Sequence, residues 1–279
     1  MEKPQEIITS KQNPLVMLTA SLAERKYRRK EGLFRFDGKK LLLEALAANI
    51  PLHAVLLKAS AADALLAETG ALSLPDSTRA VLLSDAVFDR LSEEKAPEGV
   101  IVVAPLLSNV QGYHGGEPAF DEALLPGHTL LLESVRDPGN LGTIIRSASA
   151  FGIANLVLSA DCADPYHPRV IRGAMGTLFH HHITVVEDPV AAALRLRERG
   201  AVYAATLKGD SRRLGEIAFG SADTVMVGNE GHGLSRALIN AASGTVFIPM
   251  ETGVESLNAG VAASVLAYEL YRGRCQYEA

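Results

Sequence analysis

Two cysteines in 279 residues, Cys162 and Cys275, leave no disulfide framework for a chain of this length, and no Cys/His grouping has the spacing of a structural zinc site. No metal is therefore expected. Charge, glycine or proline interrupts every apolar run before membrane-spanning length, and no basic leader precedes a hydrophobic stretch. The expectation is a folded cytoplasmic protein with no membrane partner. Two nucleotide signatures are also missing. No Gly-x-Gly-x-x-Gly follows an early strand, which weakens a nicotinamide-dependent dehydrogenase, and no glycine-rich loop ends in Lys-Ser or Lys-Thr. Nor is there a surplus of positive charge: 27 Lys and Arg against 32 Asp and Glu give −5 at pH 7. That argues against an indiscriminate nucleic-acid coat, whose energy comes from neutralising phosphates. No internal repeat or low-complexity tract is present.

What is there begins with the distribution of charge. Residues 1–40 hold ten Lys or Arg against five Asp or Glu, densest at Arg25-Lys-Tyr-Arg-Arg-Lys30; such a run is either a solvated helix face or a phosphate contact. A hydrophobic fraction of 48% over this length suffices for a large core and two domains. Periodicity predicts a helix-like segment from Ser10-Lys-Gln-Asn-Pro14 to about Lys30. It then predicts a strand at Leu33–Phe36, a helix at Lys39–Ala48 and strands at His53–Leu57, Ala80–Leu83 and Val100–Ala104. This small α/β unit occupies 1–107. Residues 108–122, with Gly112, Gly115, Gly116 and Pro118, have turn composition and read as a linker.

From 123 to 279 strands and helices alternate. Strands are expected at Thr129–Glu133, Asn155–Leu158, Thr184–Val186, Val202–Ala205, Thr224–Val227 and Thr245–Ile248. Helices are expected at Thr143–Phe151, over most of Val170–Phe179, and from about Leu257 to Arg272. Alternation of this kind implies a parallel sheet covered by helices on both faces. Three polar clusters follow apolar strands: Asp137-Pro-Gly-Asn140 with Arg146, Gly228-Asn-Glu-Gly231, and Glu251-Thr-Gly-Val-Glu-Ser-Leu-Asn258. Polar groups at several strand ends suggest one crevice assembled from distant parts of the chain, suited to a neutral polar ligand.

Asp137-Pro-Gly-Asn-Leu-Gly-Thr-Ile-Ile-Arg146, Val225-Met-Val-Gly-Asn-Glu-Gly-His-Gly-Leu234, and Ile248-Pro-Met250 followed by Ser256-Leu-Asn258 resemble, in order, the three motifs of the SpoU (TrmH-like) RNA ribose 2'-O-methyltransferases of the SPOUT class. The resemblance is strong over about 120–272. Residues 8–104 are similar, more loosely, to the family's L30e-like substrate-binding domain, including Gly38 before a helix and Gly99 before a strand. The resemblance implies an α/β trefoil-knot domain that binds S-adenosylmethionine, a homodimer with its pocket near the subunit interface, and RNA as substrate. The separate N-terminal domain favours large-subunit (23S) ribosomal RNA. The alternatives are a tRNA ribose 2'-O-methyltransferase and a noncatalytic RNA-binding ribosome-assembly protein that retained the fold.

By the same resemblance Gly228, Ile248 and Leu257 lie at the cofactor, with Met250 nearby, and Asn140, Arg146, Glu230, Ser256 and Asn258 form the catalytic set. Arg146 is the family arginine proposed to act on the ribose hydroxyl. A guanidinium is always protonated and a very poor base, so orienting the ribose or a phosphate and stabilising oxyanion character suits it better. Asn140 could instead cap the helix that follows Asp-Pro-Gly, and Ser256 and Asn258 could cap the last helix. Lys11, Asn13, Arg28, Arg29 and Arg172 are the candidate RNA contacts, Arg172 with a surface salt bridge as its equal alternative. One departure stands out: Ala174 occupies the position where the second motif often has serine, with Thr177 nearby. His167, His180, His181 and His182 do not form a metal signature and read as structural.

Overall fold

The computed structural model describes residues 6–68, 74, 78–94, 96–114, 120–207 and 210–277. The chain divides into two compact units, residues 1–107 with 166–179, and residues 108–165 with 180–279. Along the first part run β1 (Ile7–Ile8), α1 (Pro14–Ser21), α2 (Arg25–Glu31), β2 (Leu33–Asp37), α3 (Lys39–Ala47), β3 (Ala54–Lys58), α4 (Ala62–Glu68), β4 (Arg79–Leu83), α5 (Asp85–Leu91) and β5 (Val100–Pro105). The second unit opens with β6 (Val110–Gln111), α6 (Phe120–Ala123), β7 (Thr129–Leu132), α7 (Pro138–Ala150) and β8 (Asn155–Ser159). Helix α8 (Pro168–Ala174) belongs to the first unit. The second resumes with β9 (His182–Val186), α9 (Pro189–Leu196), β10 (Val202–Ala205), β11 (Arg212–Arg213), β12 (Thr224–Val227), α10 (Arg236–Ala241), β13 (Gly244–Phe247) and α11 (Ala259–Tyr277).

In the first unit the sheet runs β1-β4-β3-β5-β2, with β5 antiparallel to both neighbours and the remaining pairs parallel. Its apolar runs are buried on both faces, as at Leu56, Leu57, Ile101 and Val102. The single helix-like segment expected up to Lys30 is two helices. Asn13 starts α1 by accepting the Leu15 N–H at 2.9 Å. Where α1 ends, buried Arg28 donates Nη1 to the carbonyls of Leu22 (2.7 Å) and Ala23 (2.8 Å), so the break satisfies helix-end acceptors that would otherwise be orphaned. Residues 166–179, second-domain by chain order, belong to this unit through aromatic packing. The rings of Tyr166 and Phe34 lie 4.7 Å apart, those of Phe179 and Phe36 5.4 Å, and Tyr166 Oη accepts the Leu107 N–H at 2.8 Å. The helix expected over Val170–Phe179 is α8 followed by a left-handed Met175 and a 3-10 turn at Thr177–Phe179.

Strands β7 and β12 are buried at every position, which a strand achieves only with helices over both faces. They sit side by side in an eight-stranded, wholly parallel sheet ordered β11-β13-β10-β12-β7-β8-β9-β6. The expected linker 108–122 needs correction. Val110–Gln111 is the edge strand β6, paired with Ile183 and Thr184, and Phe120–Ala123 is helical, while Gly115, Gly116 and Pro118 fall outside the described residues. Gly112 misleads because its composition signals a turn, whereas here it permits close approach: a Cβ would stand 2.1 Å from the Val185 carbonyl oxygen.

His181 lies buried in the second unit, its Nδ1 3.1 Å from Ser149 Oγ and its Nε2 without a hydrogen-bond partner among the described residues. Burial, reinforced by neighbouring His182, pushes its pKa down from 6.5 to about 4. The unfolded chain therefore takes up a proton that the folded chain refuses. The stabilisation is complete above pH 6.5 and drains away as pH falls toward 4. Denaturant titrations at pH 7 and pH 4.5 are expected to show the wild type losing on the order of 3 kcal/mol more than His181→Asn across that interval. Equal losses would remove His181 as the source.

Candidate active site

Adjacent parallel strands that lead off in opposite directions open a crevice beyond their carboxyl ends. β7 and β12 make that arrangement, since β7 connects to β8 on one side while β12 flanks it on the other. The segments leaving them carry two of the three polar clusters. After β7 the chain reaches Asp137, the N-cap of α7, whose Oδ1 accepts the Asn140 N–H at 2.8 Å. Asn140 is therefore not the cap, and its side chain is released for other work. After β12, Asn229 and Gly233 close a tight turn through paired backbone bonds of 3.2 and 2.9 Å. Asn229 Oδ1 accepts the Gly231 N–H at 2.8 Å within it.

Asn140 joins all three clusters. Its Nδ2 donates to Glu230 Oε1 at 2.6 Å, and its Oδ1 accepts from Asn258 Nδ2 at 2.8 Å. Asn258 also caps α11, its Oδ1 taking the Val261 N–H at 3.2 Å, so the capping and bridging roles coexist. The direction of donation is fixed along the whole relay. A carboxylate only accepts, so Asn140 must present its amide to Glu230 and its carbonyl to Asn258. An amide does both at once through two separate atoms, Nδ2 and Oδ1.

Beside the relay lies a cavity of about 370 Å³, within the roughly 300–1,000 Å³ usual for small-molecule and cofactor sites. Gly228, Ile248, Met250 and Leu257, the four expected cofactor residues, all line it, as do Glu230 and Ser256. Its walls combine backbone-rich turns with apolar side chains such as Val246 and Leu266. Glu230 and Glu255 bring carboxylates, and among the described residues no lining residue is Lys or Arg. Exposed backbone groups and apolar walls suit a neutral aromatic base, and a carboxylate-bearing rim suits a cationic centre. A ligand that carries both fits these residues.

The remaining candidates fall elsewhere. Arg146 projects from the exposed side of α7, is not part of the cavity lining, and makes no hydrogen bond or ion pair among the described residues. In the first unit Lys11 is exposed and Arg29 half-buried. Asn13 is spent as the α1 cap, and Arg28 is only 2% exposed and bonded to carbonyls, which takes it out of the set able to reach a phosphate. Arg172 pairs with Glu94 at 3.4 Å and stays half exposed. Thr177 does not restore the missing serine hydroxyl, because its Oγ1 donates to the Ala174 carbonyl at 2.6 Å.

Sequence reasoning missed a second cluster behind the relay. Ser134 follows β7 with φ of 54°, a left-handed conformation uncommon for serine. Its N–H donates to Ser159 Oγ (2.9 Å), its carbonyl accepts from Asn229 Nδ2 (2.8 Å), and its hydroxyl donates to Asp161 (2.5 Å). Asp161 also accepts from Ser159 Oγ at 2.6 Å and Arg136 Nη2 at 2.9 Å. Burial alone would raise this carboxyl, but the bonds from Ser134, Ser159 and Arg136 outweigh it and bring the pKa down to about 2. No local pattern announces a non-glycine residue in that conformation, so only the fold reveals it.

Residues 127–268 match the SpoU rRNA Methylase family, and residues 13–102 match the MRM3-like substrate binding domain. An uncharacterised tRNA/rRNA methyltransferase of Synechocystis is 32% identical over 95% of this chain and 93% of its own. The 23S rRNA (guanosine(2553)-2'-O)-methyltransferase RlmP of Bacillus subtilis is 30% identical over 94% and 98%. The SpoU methyltransferase AviRb of Streptomyces viridochromogenes, solved in complex with AdoMet, superposes with a TM-score of 0.81 at 25% identity, covering 95% of this chain and 99% of that one.

Proposed function

Because the chain belongs to the SpoU rRNA methylase family, we propose that it transfers the methyl group of S-adenosylmethionine to a ribose 2'-hydroxyl of 23S ribosomal RNA. The observation that carries the proposal is the Asn258–Asn140–Glu230 relay set against a cavity with backbone-rich turns and a carboxylate-bearing rim. The relative named as acting on 23S rRNA aligns over nearly the whole of both chains, so the reading extends to both units.

When bound, S-adenosylmethionine supplies a methyl group already activated for in-line attack, so the protein's share is alignment and exclusion of water. Gly228, Ile248 and Leu257 would hold the cofactor through backbone groups, with Met250 beside them in the cavity lining. The relay fixes the Glu230 carboxylate, and Ser256 lies in the cavity lining. Arg146, permanently cationic, orients the ribose or the neighbouring phosphate and stabilises the developing oxyanion.

The reading includes a trefoil knot, a cytoplasmic setting and a homodimer. The exposed apolar residues Val261 and Tyr268, seven apart on one face of α11, support the dimer. So does Arg146, which stands outside the cavity of its own chain and is available to a site completed by a second copy. Light scattering is expected to give twice the 29.6 kDa chain mass.

Incubation with isotopically labelled S-adenosylmethionine and separate pools of unmodified 23S rRNA and tRNA tests the reaction. Nuclease digestion and mass spectrometry are expected to find the label in a 2'-O-methyl nucleotide of 23S rRNA. Label confined to tRNA would overturn the substrate, and binding of the cofactor without transfer to either pool would overturn the enzyme.

A further inference from the structure

We propose that Arg136 is a further RNA phosphate contact of the catalytic unit, aimed by Asp161. The inference rests on the RNA methyltransferase reading above and adds a recognition residue to it. Arg136 lies directly before the α7 cap Asp137, its side chain 69% exposed, with Nη2 2.9 Å from Asp161 Oδ2. That is its sole ion pair or hydrogen bond among the described residues. A guanidinium has five N–H donors in a planar fork, so one edge can be anchored while the others face solvent.

Stability does not account for the arrangement. An ion pair this exposed contributes little to stability. Asp161, by contrast, is tied by three donors, Ser134 Oγ, Ser159 Oγ and Arg136 Nη2. Its carboxyl stays ionised far below neutrality. The same clasp holds Ser134 in its left-handed conformation, and a strained backbone persists where its surroundings over-determine it. From Ser134 the connection reaches the cavity in one bond, since its carbonyl accepts from Asn229 Nδ2 and Asn229 lines the cavity. Arg136 is thus a solvent-facing cation fixed by an unbroken hydrogen-bonded path to the wall of the cofactor site. A charge held in that way selects the position of a phosphate rather than merely attracting one. The phosphate is one flanking the nucleotide whose ribose enters the site.

The test uses the full-length protein, an unmodified 23S rRNA transcript, and RNA binding measured across a potassium chloride series. Arg136→Gln is expected to weaken RNA binding about tenfold and to reduce the salt slope by about one, with the S-adenosylmethionine Kd unchanged. Arg136→Lys is expected to recover the slope but only part of the affinity, because the charge returns without the fork. Asp161→Asn gives the sharpest reading. Removing a negative charge strengthens RNA binding if Asp161 merely offsets Arg136, and weakens it if Asp161 aims Arg136; weakening is expected. Wild-type RNA affinity and slope in Arg136→Gln, while the wild type methylates RNA, would overturn the inference. Tighter binding by Asp161→Asn would do the same, and if that variant does not fold, Arg136→Gln and Arg136→Lys decide. A wild type that neither binds nor methylates RNA would instead overturn the reading on which the inference rests.

Discussion

Gly228→Ala is expected to raise the Kd for S-adenosylmethionine by at least about a hundredfold, the cost of a few kcal/mol of backbone displacement in the binding turn. A Cβ at this position would stand 2.2 Å from the Gly233 carbonyl carbon, 2.3 Å from the Leu234 nitrogen and 2.4 Å from the Gly233 oxygen. All three are backbone atoms, so no side-chain rotation relieves the overlap. The turn from Asn229 to Gly233 must open, and that turn is closed by the backbone bonds between its ends and carries Glu230 within it. Opening it would deform the cavity wall and pull Glu230 from Asn140 together. Gly231→Ala is the matched control. A Cβ there would meet Asn229 Oδ1 at 3.4 Å, an ordinary contact, and binding is expected to stay within a few-fold of wild type. Isothermal titration calorimetry on both variants, with circular dichroism to verify folding, separates the outcomes. Wild-type affinity in a folded Gly228→Ala protein would remove the turn from the cofactor site.

The same turn shows what could and could not be read from the chain. Continuous apolar runs such as Thr129–Leu132 and Thr224–Val227 announce strands buried on both faces, and polar clusters just beyond them announce a crevice. Motif residues at the strand ends were therefore legible, and Gly228, Ile248, Met250 and Leu257 do share one cavity. The bonds that organise them were not. Asn140 stood open as a helix cap because a small polar residue after Asp-Pro-Gly satisfies that pattern, but Asp137 takes the cap and frees Asn140 for partners 90 and 118 residues away. Local pattern also fails where one composition serves two purposes. Gly112 reads as a turn and is in fact a close approach beside an edge strand. Arg28, in the middle of a basic run, reads as a surface cation and is a buried brace for the end of α1. In each case the deciding interaction is a contact or a hydrogen bond, which leaves no trace in periodicity or spacing.

Arg146→Ala is expected to lower kcat by about a hundred- to a thousandfold, the magnitude of losing one donor to a developing oxyanion, with little change in stability or in the Kd for S-adenosylmethionine. The separation follows from where the side chain stands. Arg146 is exposed on α7, outside the cavity lining, and has no hydrogen bond or ion pair among the described residues. Truncating it breaks no hydrogen bond or ion pair among the described residues, and alanine is the most favourable helix residue, so the melting temperature is expected to hold. An activity loss without a stability loss then belongs to the reaction. Arg146→Lys distinguishes the two roles open to the residue. If the guanidinium orients ribose or phosphate through its planar fork, lysine restores the charge but only a small part of the rate. If Arg146 were the proton acceptor, a lysine, which loses its proton far more readily than arginine, would give a rate rising steeply with pH relative to wild type. The expected result is a uniformly lower rate with an unaltered pH profile. Full activity in Arg146→Ala would exclude the residue from the chemistry.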